Sequence, residues 1–163
     1  MYQTREDSIK KLKELIDGID FAMLTTISDG RFHSRPMSTQ EFESDGSLWF
    51  FTSDQTYKVE NIKKDNRVNV AYSKPETNSY VSVSGTAESV KDRAKIEELW
   101  SPLLKAWFPL GLEDPTLALL KISVEQAEYW DSSNSALVQI AGFIKAIATG
   151  KQMEGGDHGK ISF

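Results

Sequence analysis

The chain has 163 residues, enough for one domain with a single core and too few for two comfortable ones. With 39% hydrophobic and 26% charged residues the composition is that of a soluble globular protein, and the net charge of -5 argues against broad nucleic-acid binding. The absence of cysteine excludes disulfides, thiol nucleophiles and cysteine-ligated metals, and two histidines, His33 and His158, are too few for a multi-histidine metal site within one chain.

In chain order, Thr4 and Asp7 form a capping-box start ahead of the apolar stripe Ile9, Leu12, Leu15 and Ile16, and Gly18 ends this first helix. The charges scattered through the amino-terminal residues are unlike a secretory signal, and no apolar run reaches membrane-spanning length, so a cytoplasmic protein without membrane contact is expected. From Asp20 to Ser53, strand-like runs alternate with the turn signal "SDG" at 28–30 and 44–46, which predicts three antiparallel strands. "DQTYKVENIKKDN" reads as a short helix over one end of the sheet, and "RVNVAYS" and "SYVSVSGTAESV" as two further strands.

Asp92 is placed to cap a helix through Ile96, Leu99 and Trp100, and Pro102 to start a second one after a kink. "TLALLKISVEQAEYWDSS" predicts a long strand, "SALVQIAGFIKAIATGK" an amphipathic helix ending near Gly150, and the Gly-rich residues 151–163 a flexible tail after a single domain spanning 1–150. The fold class is therefore mainly β: six antiparallel strands in a small closed barrel with helices packed outside. With no metal site in view, redox chemistry here requires a bound organic cofactor.

One run resists the strand reading. In "HSRPM", a proline directly follows Arg35, and a proline cannot donate to a β-ladder, so an edge, a bulge or a place where something other than a strand comes alongside is expected there. "HSRPM", then "LWFFTS", Lys58, "YVSVSGTAE", "LLKAWFP" and "AEYWD", in that order, resemble the general stress protein 26 group of the pyridoxamine 5'-phosphate oxidase-like FMN-binding split-barrel proteins. The resemblance runs from "AMLTT" to the final helix. It implies a six-stranded Greek-key split barrel, a homodimer, and FMN held at the subunit interface.

The site implied by the resemblance comprises Ser34, Arg35, Pro36, Met37, Phe50, Phe51, Thr52, Ser53, Lys58, Tyr80 and Trp107. Arg35 can fork onto phosphate oxygens, Lys58 supplies a point charge, and Thr52 and Ser53 add hydroxyls. Charge-assisted hydrogen bonds contribute about 1.5–3 kcal/mol each, whereas micromolar binding needs about 8 kcal/mol. The ring must therefore bury against apolar neighbours such as Pro36, Met37, Phe50 and Phe51. In the family the other subunit completes the ring pocket, a part for which Trp107 and Phe108 are the candidates.

Tyr80 stands where pyridoxamine phosphate oxidases proper carry a flavin-contacting glutamine, and their carboxy-terminal arginine and histidine motif is absent. Both departures argue against pyridoxal phosphate synthesis. No residue stands out as catalytic acid or base. The leading expectation is a dimeric FMN flavoprotein, redox-active on a small substrate. The alternatives are a non-catalytic flavin-binding, storage or sensing module, and a barrel holding another cofactor such as a deazaflavin; haem is disfavoured by the shortage of imidazole ligands.

Overall fold

Helix α1 (Arg5–Ile16) begins as its capping box requires: Thr4 Oγ1 accepts from Asp7 N, and the Asp7 carboxylate accepts from Thr4 N. The computed structural model describes residues 4–132, 144–152 and 157–163. The helix buries Ser8, Leu12 and Ile16. Strands β1 (Phe21–Ser28) and β2 (Arg31–Phe42) pair antiparallel across Asp29 and Gly30, whose positive φ angles of 50° and 72° suit a two-residue hairpin. Gly46, at φ 87°, turns the chain into β3 (Ser47–Ser53).

Helix α2 (Tyr57–Lys64) follows, then β4 (Arg67–Lys74) and β5 (Ser79–Val90). In place of a kinked pair of α-helices there is α3 (Arg93–Leu99) and a separate 3-10 turn at Pro102–Ala106. Asp92 caps α3 as expected, accepting from the amides of Ala94 and Lys95. The break has a local cause: a proline pushes its predecessor to extended backbone, and Ser101 sits at φ -128°, ψ 141°. Strand β6 (Leu117–Asp131) is the long one.

The sheet order is β3-β2-β1-β4-β5-β6-β7, and β3 also pairs with β6, so six strands close into a barrel and the seventh lies outside it. Leu24, Phe50, Val70, Val83 and Leu120 fill the interior without solvent exposure. Burying each such side chain contributes about 1.5–3 kcal/mol. A second apolar cluster lies outside the barrel wall, where Trp49, Phe51, Leu117 and Leu119 meet Ile96 of α3 and Leu104 of the 3-10 turn.

The expectation of a flexible tail is corrected over Asp157–Ser162, which form strand β7. Its pairing explains why. Strand β6 uses one edge for β3 only between Leu117 and Ser123, and β7 takes up that edge from Gln126 to Asp131. Gly159 lets the Tyr129 ring lie against the strand, since a Cβ there would come 2.7 Å from the phenol oxygen. Tyr129 donates to the Asp157 carboxylate at 3.1 Å, and Lys11 of α1 sits 5.0 Å from the ring centre. The helix expected over 135–150 lies outside the described residues between 133 and 143; residues 144–149 are helical.

The β5–β6 register shifts between Ser84 and Gly85, bringing Gly85 so close to β6 that a Cβ would stand 2.1 Å from the Ser123 carbonyl oxygen. A methyl group there must push two central strands apart. Gly85→Ala is expected to lower the unfolding free energy by about 1–3 kcal/mol, measured by urea denaturation; an unchanged midpoint would show that this contact does not fix the register.

Candidate functional site

Strand β2 answers the proline in its own sequence. Its ladder with β1 is continuous from Arg31 to Ser38, and Pro36 faces Met23 within it. Its ladder with β3 involves only Thr39, Glu41 and Phe42, with a register shift at Thr39/Glu41. From Arg31 to Ser38 the second edge of β2 is therefore unpaired among the described residues, and the missing N–H of Pro36 disturbs no pairing there. The gap between the two strands is a cleft of about 420 Å³.

Pro36, Met37 and Ser38 form one bank of this cleft, and Phe51, Thr52 and Ser53 the other. The strand period divides the second bank: Phe50 points into the barrel core with no exposure, whereas Phe51 faces outward against Trp100 and Phe108, at ring-centre distances of 5.6 and 6.3 Å. Trp107 and Phe108 complete the apolar wall, with Trp107 6.2 Å from Phe21.

One end of the cleft is cationic. Lys58, in the first turn of α2, lines it, and Arg35 stands on β2 one residue before Pro36. Arg35 Nη1 donates to the buried Thr26 hydroxyl at 2.9 Å and, more weakly, to the Leu24 carbonyl at 3.4 Å. The rest of its fork has no partner among the described residues, and neither Arg35 nor Lys58 makes an ion pair there. Burial holds both groups below their ordinary pKa ranges, and the charge of Arg35 depresses Lys58 further.

Hydroxyls surround this cationic end. Ser53 Oγ lies 3.0 Å from Thr116 Oγ1 and accepts from Gln55 N, while Thr52 is buried with its hydroxyl donating to the Ser53 carbonyl. Thr56, the residue before α2, donates its hydroxyl to Ser53 O at 3.0 Å and leaves the helix without a side-chain cap. The Val59 and Glu60 amides donate instead to the Thr56 carbonyl, at 3.1 and 3.2 Å. Two cations without an ion pair among the described residues, and the hydroxyls around them, together make a place suited to an anion.

Of the residues expected from sequence, the cleft gathers Pro36, Met37, Phe51, Thr52, Ser53, Lys58 and Trp107. Arg35 borders it through Lys58, and Ser34 lies beside Arg35 with its hydroxyl 2.6 Å from that of Thr25. Phe50 belongs to the core. Tyr80 is on β5, opposite Ser73 and Trp130, and does not line this cleft. Trp107 and Phe108, expected to complete a pocket from a partner subunit, line the cleft of their own chain. His33 is exposed on the face that Arg35 shares.

Sequence reasoning missed Phe21, Ser38, Gln40, Thr56 and Thr116 as lining residues. Thr56 could have been found, as the uncapped threonine ahead of the lysine-rich helix. Thr116 could not, because only the β3–β6 pairing carries it to Ser53.

A family model described as pyridoxamine 5'-phosphate oxidase like matches residues 7–154. Protein bli-3 of Neurospora crassa is 30% identical over 157 residues, covering 90% of this chain and 75% of that protein. Among solved structures, a candidate general stress protein 26 from Jannaschia sp. CCS1 superposes with a TM-score of 0.75 at 25% identity, covering 96% of this chain and 99% of its own. The general stress FMN/FAD binding protein of Xanthomonas citri superposes with a TM-score of 0.67 at 32% identity, covering 81% and 93%. The barrel closed by β3 and β6, the cleft along the free edge of β2 and these matches agree: the chain belongs to the pyridoxamine 5'-phosphate oxidase-like family, within its general stress protein 26 group.

Proposed function

We propose that this chain binds FMN in the cleft between β2 and β3 and acts, as a homodimer, in redox chemistry on a small substrate. The observation that carries the reading is the pair Arg35 and Lys58, two half-buried cations brought together with no ion-pair partner among the described residues at one end of an apolar-walled cleft. Leaving like charges together in a low-dielectric place is unfavourable unless an anion is to be received there. A terminal phosphate monoester carries about -1.5 to -2 charges at neutral pH, which matches two cations. Either phosphate of FAD carries one. The solved relative from Xanthomonas citri, described as binding FMN or FAD, supports a flavin.

Arg35 and Lys58 would hold the phosphate, with Thr52, Ser53 and Thr56 as hydroxyl partners. Met37, Phe51, Trp107 and Phe108 would bury the ring and exclude water. When bound, FMN supplies hydride or electron transfer. Asp114 lines the cleft but accepts from both the amide and the hydroxyl of Thr116, so the chain's part is binding and orientation rather than proton transfer. The dimer reading rests on the outer face of the barrel, where Phe21, Met23, Trp107 and Leu110 are 52%, 43%, 60% and 64% exposed. An apolar patch of that kind is suited to burial against a second copy.

Adding FMN to flavin-free protein should shift and structure the visible flavin bands. Lys58→Met should weaken binding roughly tenfold to 100-fold, the loss of one charge-assisted bond. Flavin bands left unperturbed by the wild-type protein would refute the reading. Arg35→Ala should weaken binding similarly, and also leave the Thr26 hydroxyl unsatisfied, so its stability is to be measured alongside.

The same cations should cost stability when the site is empty. The folded pKa of Lys58 lies below its ordinary 10.5, so the unfolded chain holds that proton more tightly. The penalty is present at every pH below the folded value and disappears as pH rises past it. At neutral pH, ligand-free Lys58→Met should therefore melt no lower than wild type, while gaining less from added FMN. A lower melting temperature for the empty variant would show that Lys58 is a structural residue.

Sedimentation at micromolar concentration should give a dimer, and a monodisperse monomer would remove that part of the proposal. Anaerobic mixing of the FMN-loaded protein with NADH or NADPH should bleach the flavin faster than it bleaches free FMN; rates equal to free FMN would leave a flavin-binding module without turnover.

A further inference from the structure

Arg35 is a cation that has to be held in place. A long, flexible side chain beside the like charge of Lys58 lowers its energy by swinging away into water, yet Arg35 stays half-buried and its charge is felt at Lys58. Two contacts hold it: Nη1 donates to Thr26 Oγ1 at 2.9 Å and to the Leu24 carbonyl at 3.4 Å. The second is at the limit of a hydrogen bond, so the Thr26 hydroxyl is the anchor.

The strand register explains the reach. Arg35 stands opposite Leu24 on β1, and Thr26 is the diagonal neighbour on the same face, within the span of a long side chain. That face is the core side of β1, where Ala22, Leu24 and Thr26 are buried while Phe21 and Met23 on the other face are exposed. Arg35 is the only side-chain hydrogen-bond partner of Thr26 among the described residues. Valine would fill the same space, suit a strand equally well and bring no polar atom into the core. What the hydroxyl adds over valine is an acceptor, and the donor it meets is Arg35.

The acceptor is neutral, which decides what Arg35 can still do. Arg67 and Arg93 are held by carboxylates, Asp65 at 2.6 Å and Glu97 at 2.7 Å, which answer their charge. A hydroxyl and a carbonyl orient the Arg35 guanidinium and leave its charge in place. Both contacts use Nη1, so Nε and Nη2 keep their hydrogens without a partner among the described residues. Thr26 does not line the cleft, so its effect on an anion bound there runs through Arg35.

We propose that Thr26 is a positioning residue: its hydroxyl fixes Arg35 beside Lys58 with the charge intact, and so sets the cleft's preference for a flavin that carries a phosphate over one that does not. This rests on the flavin reading of the cleft, and it makes phosphate recognition depend on a core residue that no ligand touches.

The test is the affinity of flavin-free protein for FMN and for riboflavin in the wild type, Thr26→Val and Thr26→Ser, followed by flavin fluorescence. Thr26→Val should weaken FMN binding about tenfold, through a misplaced charge-assisted bond, and leave riboflavin within about twofold, whereas Thr26→Ser should keep most of the preference. In an Arg35→Ala background Thr26→Val should cost FMN binding nothing further, because the two residues act as one unit. Should Thr26→Val not fold, Thr26→Cys puts a weak acceptor in the same place and carries the same expectation. An FMN preference undiminished by either substitution, an equal loss for both flavins, or a loss that persists at full size without Arg35 overturns the proposal, while FMN binding by the wild type leaves the flavin reading standing. A wild-type protein that does not prefer FMN to riboflavin overturns both.

Discussion

The structure depends on where β3 finds its partners. It pairs with β6 along its whole length, from Ser47–Ser123 to Ser53–Leu117, but with β2 only up to the Thr39–Phe50 pair. The first ladder closes the barrel and the incomplete second one splits it. Pro36 lies on the unpaired stretch, where a full ladder would lack a donor, so the sequence itself opposes closing the gap. The opening is therefore built into the strand pairing and needs no flexible loop to create it.

Everything that gives the cleft its chemistry follows from that split. Leaving β2 brings Thr52 and Ser53 to the barrel mouth, the β3–β6 ladder carries Thr116 beside them, and the short link into α2 delivers Lys58. Arg35 is steered by the buried Thr26 hydroxyl, which fixes one guanidinium nitrogen and leaves the others without a partner among the described residues. Lys95 on α3 provides the contrast: it is enclosed by Glu43 and Glu98 and lies over the Trp49 ring, a cation whose charge is answered by carboxylates. Arg35 and Lys58 have no such carboxylate partner among the described residues.

Much of this was legible in the sequence because it is encoded locally. The capping box at Thr4 and Asp7, the turns at Gly30 and Gly46, and the Asp92 cap each depend on residues a few positions apart. The proline after Arg35 correctly signalled an unpaired edge. What failed depends on long-range pairing. Strand β7 was hidden in a Gly-rich segment because its reason for being ordered, the vacant edge of β6 from Gln126 to Asp131, exists only in three dimensions. Phe50 and Phe51 could not be assigned to core and cleft from an all-apolar run, since the period of two does not say which face is which. The turn from Pro102 to Ala106, which carries Trp107 to the cleft of its own chain beside Phe21, was likewise not readable from the local sequence.

The central claim is that the cleft recognises a terminal phosphate through two uncompensated cations. The most direct measurement is the affinity of the flavin-free protein for FMN and for riboflavin, which lacks the phosphate, over a range of salt concentrations. The account predicts that FMN binds at least about tenfold more tightly and that its advantage shrinks as salt rises. Equal affinities at low salt would contradict it, and would mean that Arg35 and Lys58 are gathered at this end of the cleft for some other anion.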